Sequence, residues 1–192
     1  NHGTITGAVW KQLPSGIWVL SFDGTDDWIE IPDAASLDIS TAWTIEVVAK
    51  WVTNPNRVLF AKWNQLGAAP ADQRSWVIQV GDANFLFWSS VNGTTAVSTV
   101  FTSAQTENVF YRFSFTYDGT NLRGYKDGVL IGSPVAISAL MVTTAVVWLG
   151  RDGNDGIAGK WQGLIGEGII SSRAFSAGEI MQNYLAKKWR CS

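Results

Sequence analysis

The stretch Val109-Phe-Tyr-Arg-Phe-Ser-Phe-Thr-Tyr117 places Val109, Tyr111, Phe113, Phe115 and Tyr117 on one side and Arg112, Ser114 and Thr116 on the other. A helix would scatter these aromatics around its axis, whereas an extended chain sends every second side chain the same way. The stretch therefore reads as a strand with one buried face. Thr44–Trp51 repeats the pattern, with Ile45, Val47, Ala49 and Trp51 set against Thr44, Glu46, Val48 and Lys50.

Working outward, further strands are expected at Gly16–Phe22, Trp28–Ile31, Val58–Trp63, Trp76–Val80, Asn84–Ser89, Leu122–Lys126, Val129–Ile131, Val146–Gly150 and Trp161–Ser171. Asp-Gly pairs at 23–24, 118–119, 127–128, 152–153 and 155–156 separate many of them. Asp-Gly tolerates the positive φ of tight turns, and Tyr125-Lys-Asp-Gly-Val129 is the clearest hairpin signal. About a dozen strands at this spacing predict an all-β fold, an antiparallel two-sheet sandwich of jelly-roll type. One helix is expected near the C-terminus: Ser176 and Glu179 have capping-box spacing, and Ile180, Tyr184, Leu185 and Trp189 form a stripe that would dock on the sandwich. Lys62–Ser75 and Arg151–Lys160 lack periodicity and read as long loops. No composition shift marks a boundary, so residues 1–192 are expected to form one domain.

Composition narrows the function. The 192 residues carry a net charge of −2, against the basic surface that nucleic-acid binding requires. The only Cys (Cys191) and the only His (His2) exclude a disulfide framework, Cys or His-cluster metal sites and an ordinary Ser-His-Asp triad. No apolar run approaches the roughly 20 residues of a membrane helix. The chain opens on Asn with no signal-peptide pattern, and is expected to be a piece of a longer protein.

Several segments in order resemble the laminin-G-like branch of the concanavalin A-like lectin/glucanase superfamily. They are Asn1–Ala8, Leu20-Ser-Phe-Asp-Gly-Thr-Asp-Asp-Trp-Ile-Glu-Ile-Pro32, Trp43-Thr-Ile-Glu-Val47, Phe113–Thr120 with Leu122–Gly132, Leu149-Gly-Arg151, Trp161–Ile165 and Arg173–Ile180. The resemblance covers nearly the whole chain. It implies a concanavalin A-like jelly roll serving as a recognition module, with glycans the commonest ligands, in a secreted, cell-surface or virion (phage) setting. The partner is expected to be a glycan or another protein of the same assembly, with neither nucleic acid nor membrane insertion. Many relatives hold a structural calcium ion between the signature strand and a late strand reading Gly-x-Ile-Asp-Glu. Here that strand reads Gly163-Leu-Ile-Gly166-Glu167, with Gly166 in the carboxylate's place.

The residues add their own chemistry. Glycoside hydrolysis requires two carboxylates across a cleft. The five Glu (Glu30, Glu46, Glu107, Glu167, Glu179) are scattered without a partner two residues away, so no enzyme activity is expected. Asp23, Gly24, Asp26 and Asp27 form the densest set of hard oxygen donors, which either bind calcium or cap their own turn; the resemblance implies Glu167, on the matching late strand, as a distant ligand. Among eleven Trp, Trp18, Trp28, Trp43, Trp51 and Trp148 lie in alternating strands and read as core. Trp63, Trp88 and Trp161 border loops. With Arg151, Asp152, Asn154 and Asp155 they make the candidate glycan-binding set, since flat aromatic faces stack on sugar rings. Asn92-Gly-Thr94 is a glycosylation sequon. The competing reading is a structural domain that attaches protein.

Overall fold

Fourteen strands and one helix are seen in the computed structural model, which describes residues 2–52, 57–64, 72–81, 83–153 and 159–188. The strands are β1 (Thr4–Thr6), β2 (Val9–Gln12), β3 (Trp18–Asp23), β4 (Trp28–Ile31), β5 (Trp43–Trp51), β6 (Arg57–Asn64), β7 (Gln73–Val80), β8 (Asn84–Ser89), β9 (Val97–Thr102), β10 (Tyr111–Tyr117), β11 (Asn121–Lys126), β12 (Val129–Ala136), β13 (Val147–Leu149) and β14 (Gln162–Ser171). They form two seven-stranded antiparallel sheets, ordered β1-β4-β13-β6-β7-β8-β9 (sheet A) and β12-β11-β10-β5-β14-β3-β2 (sheet B). The expected sandwich is thus present. The helix α1 spans Ala177–Lys187.

The alternating aromatics fill the space between the sheets. Phe113 and Phe115 of β10 meet Phe85 of β8 with ring centroids 5.3 and 5.5 Å apart, and Trp43 of β5 stacks on Phe87 of β8 at 5.0 Å. Such ring pairs add to area burial and fix how the sheets sit on each other. The β11–β12 hairpin closes through Asp127 (φ 52°) and Gly128 (φ 82°), the two positive φ values of a type I′ turn. Asp127 also bonds back to β10: its carboxylate accepts the Arg112 N–H at 2.8 Å, and its own N–H donates to the Arg112 carbonyl at 2.9 Å.

Several expectations need correction. The polar face of β5 is not solvated: Thr44, Glu46 and Val48 are buried. Glu46 accepts hydrogen bonds from Ser114 (2.7 Å) and from Asn183 of α1 (2.8 Å), so the helix covers this outer face. Binary alternation reports chemistry, and here a second layer buries polar groups paired with one another. Val109 is 42% exposed and precedes β10, because Asn108 adopts φ 61° and donates its N–H to the Trp51 carbonyl. Trp18, at the start of β3 and paired with Gln12 of the edge strand β2, is 55% exposed instead of buried. Strands β1, β2 and β9 were not anticipated, since β1 and β2 bury nothing and β9 buries little beyond Phe101. The loop expected from Lys62 is shorter, because β6 runs to Asn64 and β7 begins at Gln73.

The capping box of α1 is present: Ser176 Oγ accepts the Glu179 N–H, and Glu179 Oε2 accepts the Ser176 N–H at 2.8 Å. Ile180 is buried and Tyr184 half-buried, but Leu185 faces outward, 48% exposed. Trp189 and Cys191 lie outside the described residues. Ser176→Ala should cost about 1 kcal/mol, lowering Tm by about 2–4 °C. A thermal melt checks this, and an unchanged Tm would mean the cap contributes nothing. Among the described residues, no helix is long and apolar enough to cross a membrane.

Candidate functional site

The outer face of sheet A is set by register. Thr4 pairs with Glu30, Glu30 with Trp148, Trp148 with Ala61, Ala61 with Val77, Val77 with Trp88, and Trp88 with Ser98. Side chains alternate along each strand, so the inward Val147, Leu149, Ile78 and Phe87 push Trp148, Val77 and Trp88 outward. Trp148 and Trp88 stand three strand spacings apart, roughly 14 Å at about 4.8 Å each. Both are half-buried. Between them Trp63 packs against Val58, Ala61 and Val77 and is itself buried, with the Arg74 guanidinium 5.8 Å from its ring.

At the β13 end, the Arg151 guanidinium lies between two indoles, 4.7 Å from the Trp28 ring and 5.0 Å from that of Trp148. Arg151 Nε also donates to the Asp152 carbonyl at 2.7 Å. Lys160 Nζ sits 5.6 Å from the centre of the Trp28 ring and donates to the Thr25 carbonyl at 2.8 Å. Glu30 adds a half-buried carboxylate beside Trp148. Toward β8, Trp88 Nε1 donates to the Gln79 side chain at 2.9 Å, which fixes the indole plane. A flat aromatic platform with oriented polar groups around it can stack a ring and hydrogen-bond its substituents.

Of the expected ligand set, the structure brings Trp88 and Arg151 to this one face. Trp63 points to the same side but is covered. Trp161 is buried in the core and meets Trp51 edge-on at 6.5 Å, so it faces no ligand. Asp152 is fully buried, not part of a solvated turn. Asn154 and Asp155 lie outside the described residues. Trp28, Trp148, Glu30 and Gln79 were missed. The signal for Trp148 was available: in Val147-Trp-Leu149 the indole is out of phase with its apolar neighbours, as Trp88 is with Phe85 and Phe87.

Asp23, Asp26 and Asp27 meet in the β3–β4 turn, with one carboxylate oxygen of each within 4.8 Å of the others. Asp23 Oδ1 accepts the N–H groups of Thr25 (2.7 Å) and Asp26 (3.3 Å), and Asp27 Oδ2 accepts that of Asp23 (2.7 Å). Gly24, at φ 82°, lets the turn pass Gln162. Burial pushes the Asp27 carboxyl up, its bond from Asp23 N–H offsets this in part, and the charges of Asp23 and Asp26 add to the rise. Glu167 is elsewhere, paired with Val48 under α1, where Arg112 Nη2 and Lys187 Nζ each donate to it at 2.6 Å. Asp23 instead pairs with Gln162, five residues earlier on β14, so the expectation of Glu167 as a distant ligand is corrected.

Comparison with known proteins gives a consistent picture. A laminin-G-type family model, described as concanavalin A-like lectin/glucanases superfamily, matches residues 23–181. None of the curated proteins matches. Among solved structures, domain 4 of AbnA, a GH43 extracellular arabinanase from Geobacillus stearothermophilus, in complex with arabinotriose, is similar with TM-score 0.69 and 19% identity, over 94% of this chain and 86% of that one. The binding domain of botulinum neurotoxin DC is similar in its complex with SialylT (TM-score 0.70, 12% identity, 96% of this chain and 46% of that one). In its complex with rat synaptotagmin II the values are 0.70, 11%, 96% and 46%. The chain thus spans less than half of the toxin binding domain. At these identities the likeness is one of fold.

Proposed function

Since the chain belongs to the concanavalin A-like lectin/glucanases superfamily, we propose that it is a non-catalytic module that binds a glycan on the outer face of sheet A. The observation that carries this reading is the Trp28–Arg151–Trp148 stack, with Trp88 further along the same face. The arabinotriose and SialylT complexes of its structural neighbours support the ligand class. An extracellular setting follows the same neighbours, which are domains of an extracellular enzyme and of toxins. Hydrolysis has no support in the platform, where Glu30 is the carboxylate at hand, while Glu46 and Glu167 are committed to cations and amides beneath α1.

The test is a glycan-array screen followed by calorimetric titration of the best oligosaccharide. Trp148→Ala is expected to cost about 2 kcal/mol, a loss of roughly 30-fold in affinity, as a central aromatic contact does. Trp18→Ala, remote from the platform, should bind as wild type does. No retained glycan at millimolar concentration, or wild-type affinity in Trp148→Ala, overturns the reading. Protein attachment is the second reading, favoured by Trp10 (59% exposed) and Trp18 on the edge hairpin β2–β3. It gains if the domain sediments as an oligomer that Trp10→Ser dissociates.

We also propose a calcium ion at the β3–β4 turn, held by Asp23, Asp26 and Asp27 with water completing its oxygen shell. The donor set fits a hard cation, although the N–H bonds to Asp23 and Asp27 and the Lys160 ammonium on Thr25 weaken the site. With calcium at ten times its Kd, the stabilisation is about 1.4 kcal/mol, or about 3–5 °C in Tm. Asp26→Ala should erase the rise. Identical melting in chelator and in millimolar calcium would remove the ion from this account.

A further inference from the structure

Opposite the platform, the outer face of sheet B carries an open depression of about 470 Å³, bordered by Leu13, Pro14, Lys50, Val109, Phe110 and Lys188. Its floor belongs to a small apolar cluster outside the main core, in which Leu13, Val19 and Leu164 are buried and Phe110 is half-buried against them. Two cations stand at its rim. Lys50 Nζ lies 5.0 Å from the Phe110 ring, and Lys188, the C-cap of α1, holds its Nζ 6.0 Å from the Tyr184 ring. Among the described residues, no carboxylate lines it.

The adjoining cavity shares Phe110 and Lys188 and is also lined by Asp127 and by Arg112, which is nine-tenths buried with its Nη1 3.7 Å from Glu46 and Nη2 bonded to Glu167. The acids nearby are engaged: Asp127 accepts the Arg112 N–H, and Glu167 is held by Arg112 and Lys187. Arg112 and Lys187 are offset by Glu46 and Glu167, which leaves Lys50 and Lys188 as the cations beside the apolar floor, in a chain whose net charge is −2. An anion gains there from two ammonium groups, that of half-buried Lys50 and that of exposed Lys188, and a ring attached to it gains from covering Phe110 and Pro14.

We propose that this depression binds an amphipathic organic anion, a planar or sugar ring bearing a carboxylate or sulfonate-type group met by Lys50 and Lys188. The site is distinct from the glycan platform and does not depend on it.

The experiment titrates 8-anilinonaphthalene-1-sulfonate into the ¹⁵N-labelled chain, beside the uncharged N-phenyl-1-naphthylamine. Amide shifts are expected at Lys50, Val109–Tyr111 and Lys188, with binding weakened at least tenfold in Lys50→Gln/Lys188→Gln and unchanged in Trp148→Ala. Lys188→Gln alone, on an exposed helix end, keeps the test readable if the double variant melts early. Binding should also weaken as salt screens the two ammonium groups. Shifts elsewhere, equal binding of the uncharged compound, affinity indifferent to the lysines, or no binding at all would each overturn the proposal.

Discussion

Gly163→Ala is expected to give no folded protein. Gly163 sits in β14, an interior strand of sheet B, paired with Phe22 of β3 and Trp51 of β5. Its φ of 148° belongs to the region that side chains avoid. A Cβ there would stand 2.1 Å from the Lys50 carbonyl oxygen and 2.7 Å from the Trp51 Cα. Both atoms are backbone of a strand hydrogen-bonded on its two edges, so neither can give way without breaking the sheet. The cost should exceed about 4–5 kcal/mol, a large share of the roughly 5–15 kcal/mol that holds a domain together. Soluble yield and far-UV circular dichroism read the outcome. Gly166→Ala is the control, because its Cβ would meet nothing nearer than 3.5 Å. A Gly163→Ala variant with the urea midpoint of wild type would disprove the strain argument.

Arg112→Ala should destabilise the domain by about 3–5 kcal/mol, the cost of removing one partner from a buried ionic group. The guanidinium is buried, donates to Glu167 at 2.6 Å and lies 3.7 Å from Glu46. Glu46 is itself fully buried and, among the described residues, would keep its bonds from Ser114 and Asn183 alone. Acid adds a second readout. Burial pushes the Glu167 carboxyl up, but the hydrogen bonds from Lys187 and Arg112 outweigh it and hold the group below its ordinary 4.5. A depressed carboxylate stabilises the fold above its unfolded value, and that contribution fades as pH falls through the lowered one. Stability of the wild type should therefore decline below about pH 4.5, and the variant should decline less steeply. Urea melts across that range decide it.

The strands with aromatic alternation were legible because burying one face requires it, and β5, β8 and β10 announced themselves this way. The hairpin at Asp127-Gly128 was legible for a different reason: two consecutive positive φ angles suit few other pairs. Glu46, Arg112 and Ser114 misled, since a polar face reads as solvent-facing until the helix that covers it is in place. The candidate site was half-visible. Trp88 and Arg151 carried loop signals, but a tryptophan flanked by valine and leucine, as Trp148 is, looks like core by type. Only strand phase assigns it outward, and only cross-strand register shows that β13 lies between β4 and β6. Trp161 erred the other way, because a residue beside a polar loop is not thereby exposed.

The central position of β5 governs how the chain reaches this structure. Its two edges are taken by β10 and β14, and β14 then holds β3, so Asp23 meets a partner more than a hundred residues downstream. During synthesis, sheet B stays open until the last third of the chain has left the ribosome, and the search for these distant partners makes folding slow, on the millisecond-to-second scale of non-local β topologies. Trp51 and Trp161 come together only when that final closure occurs.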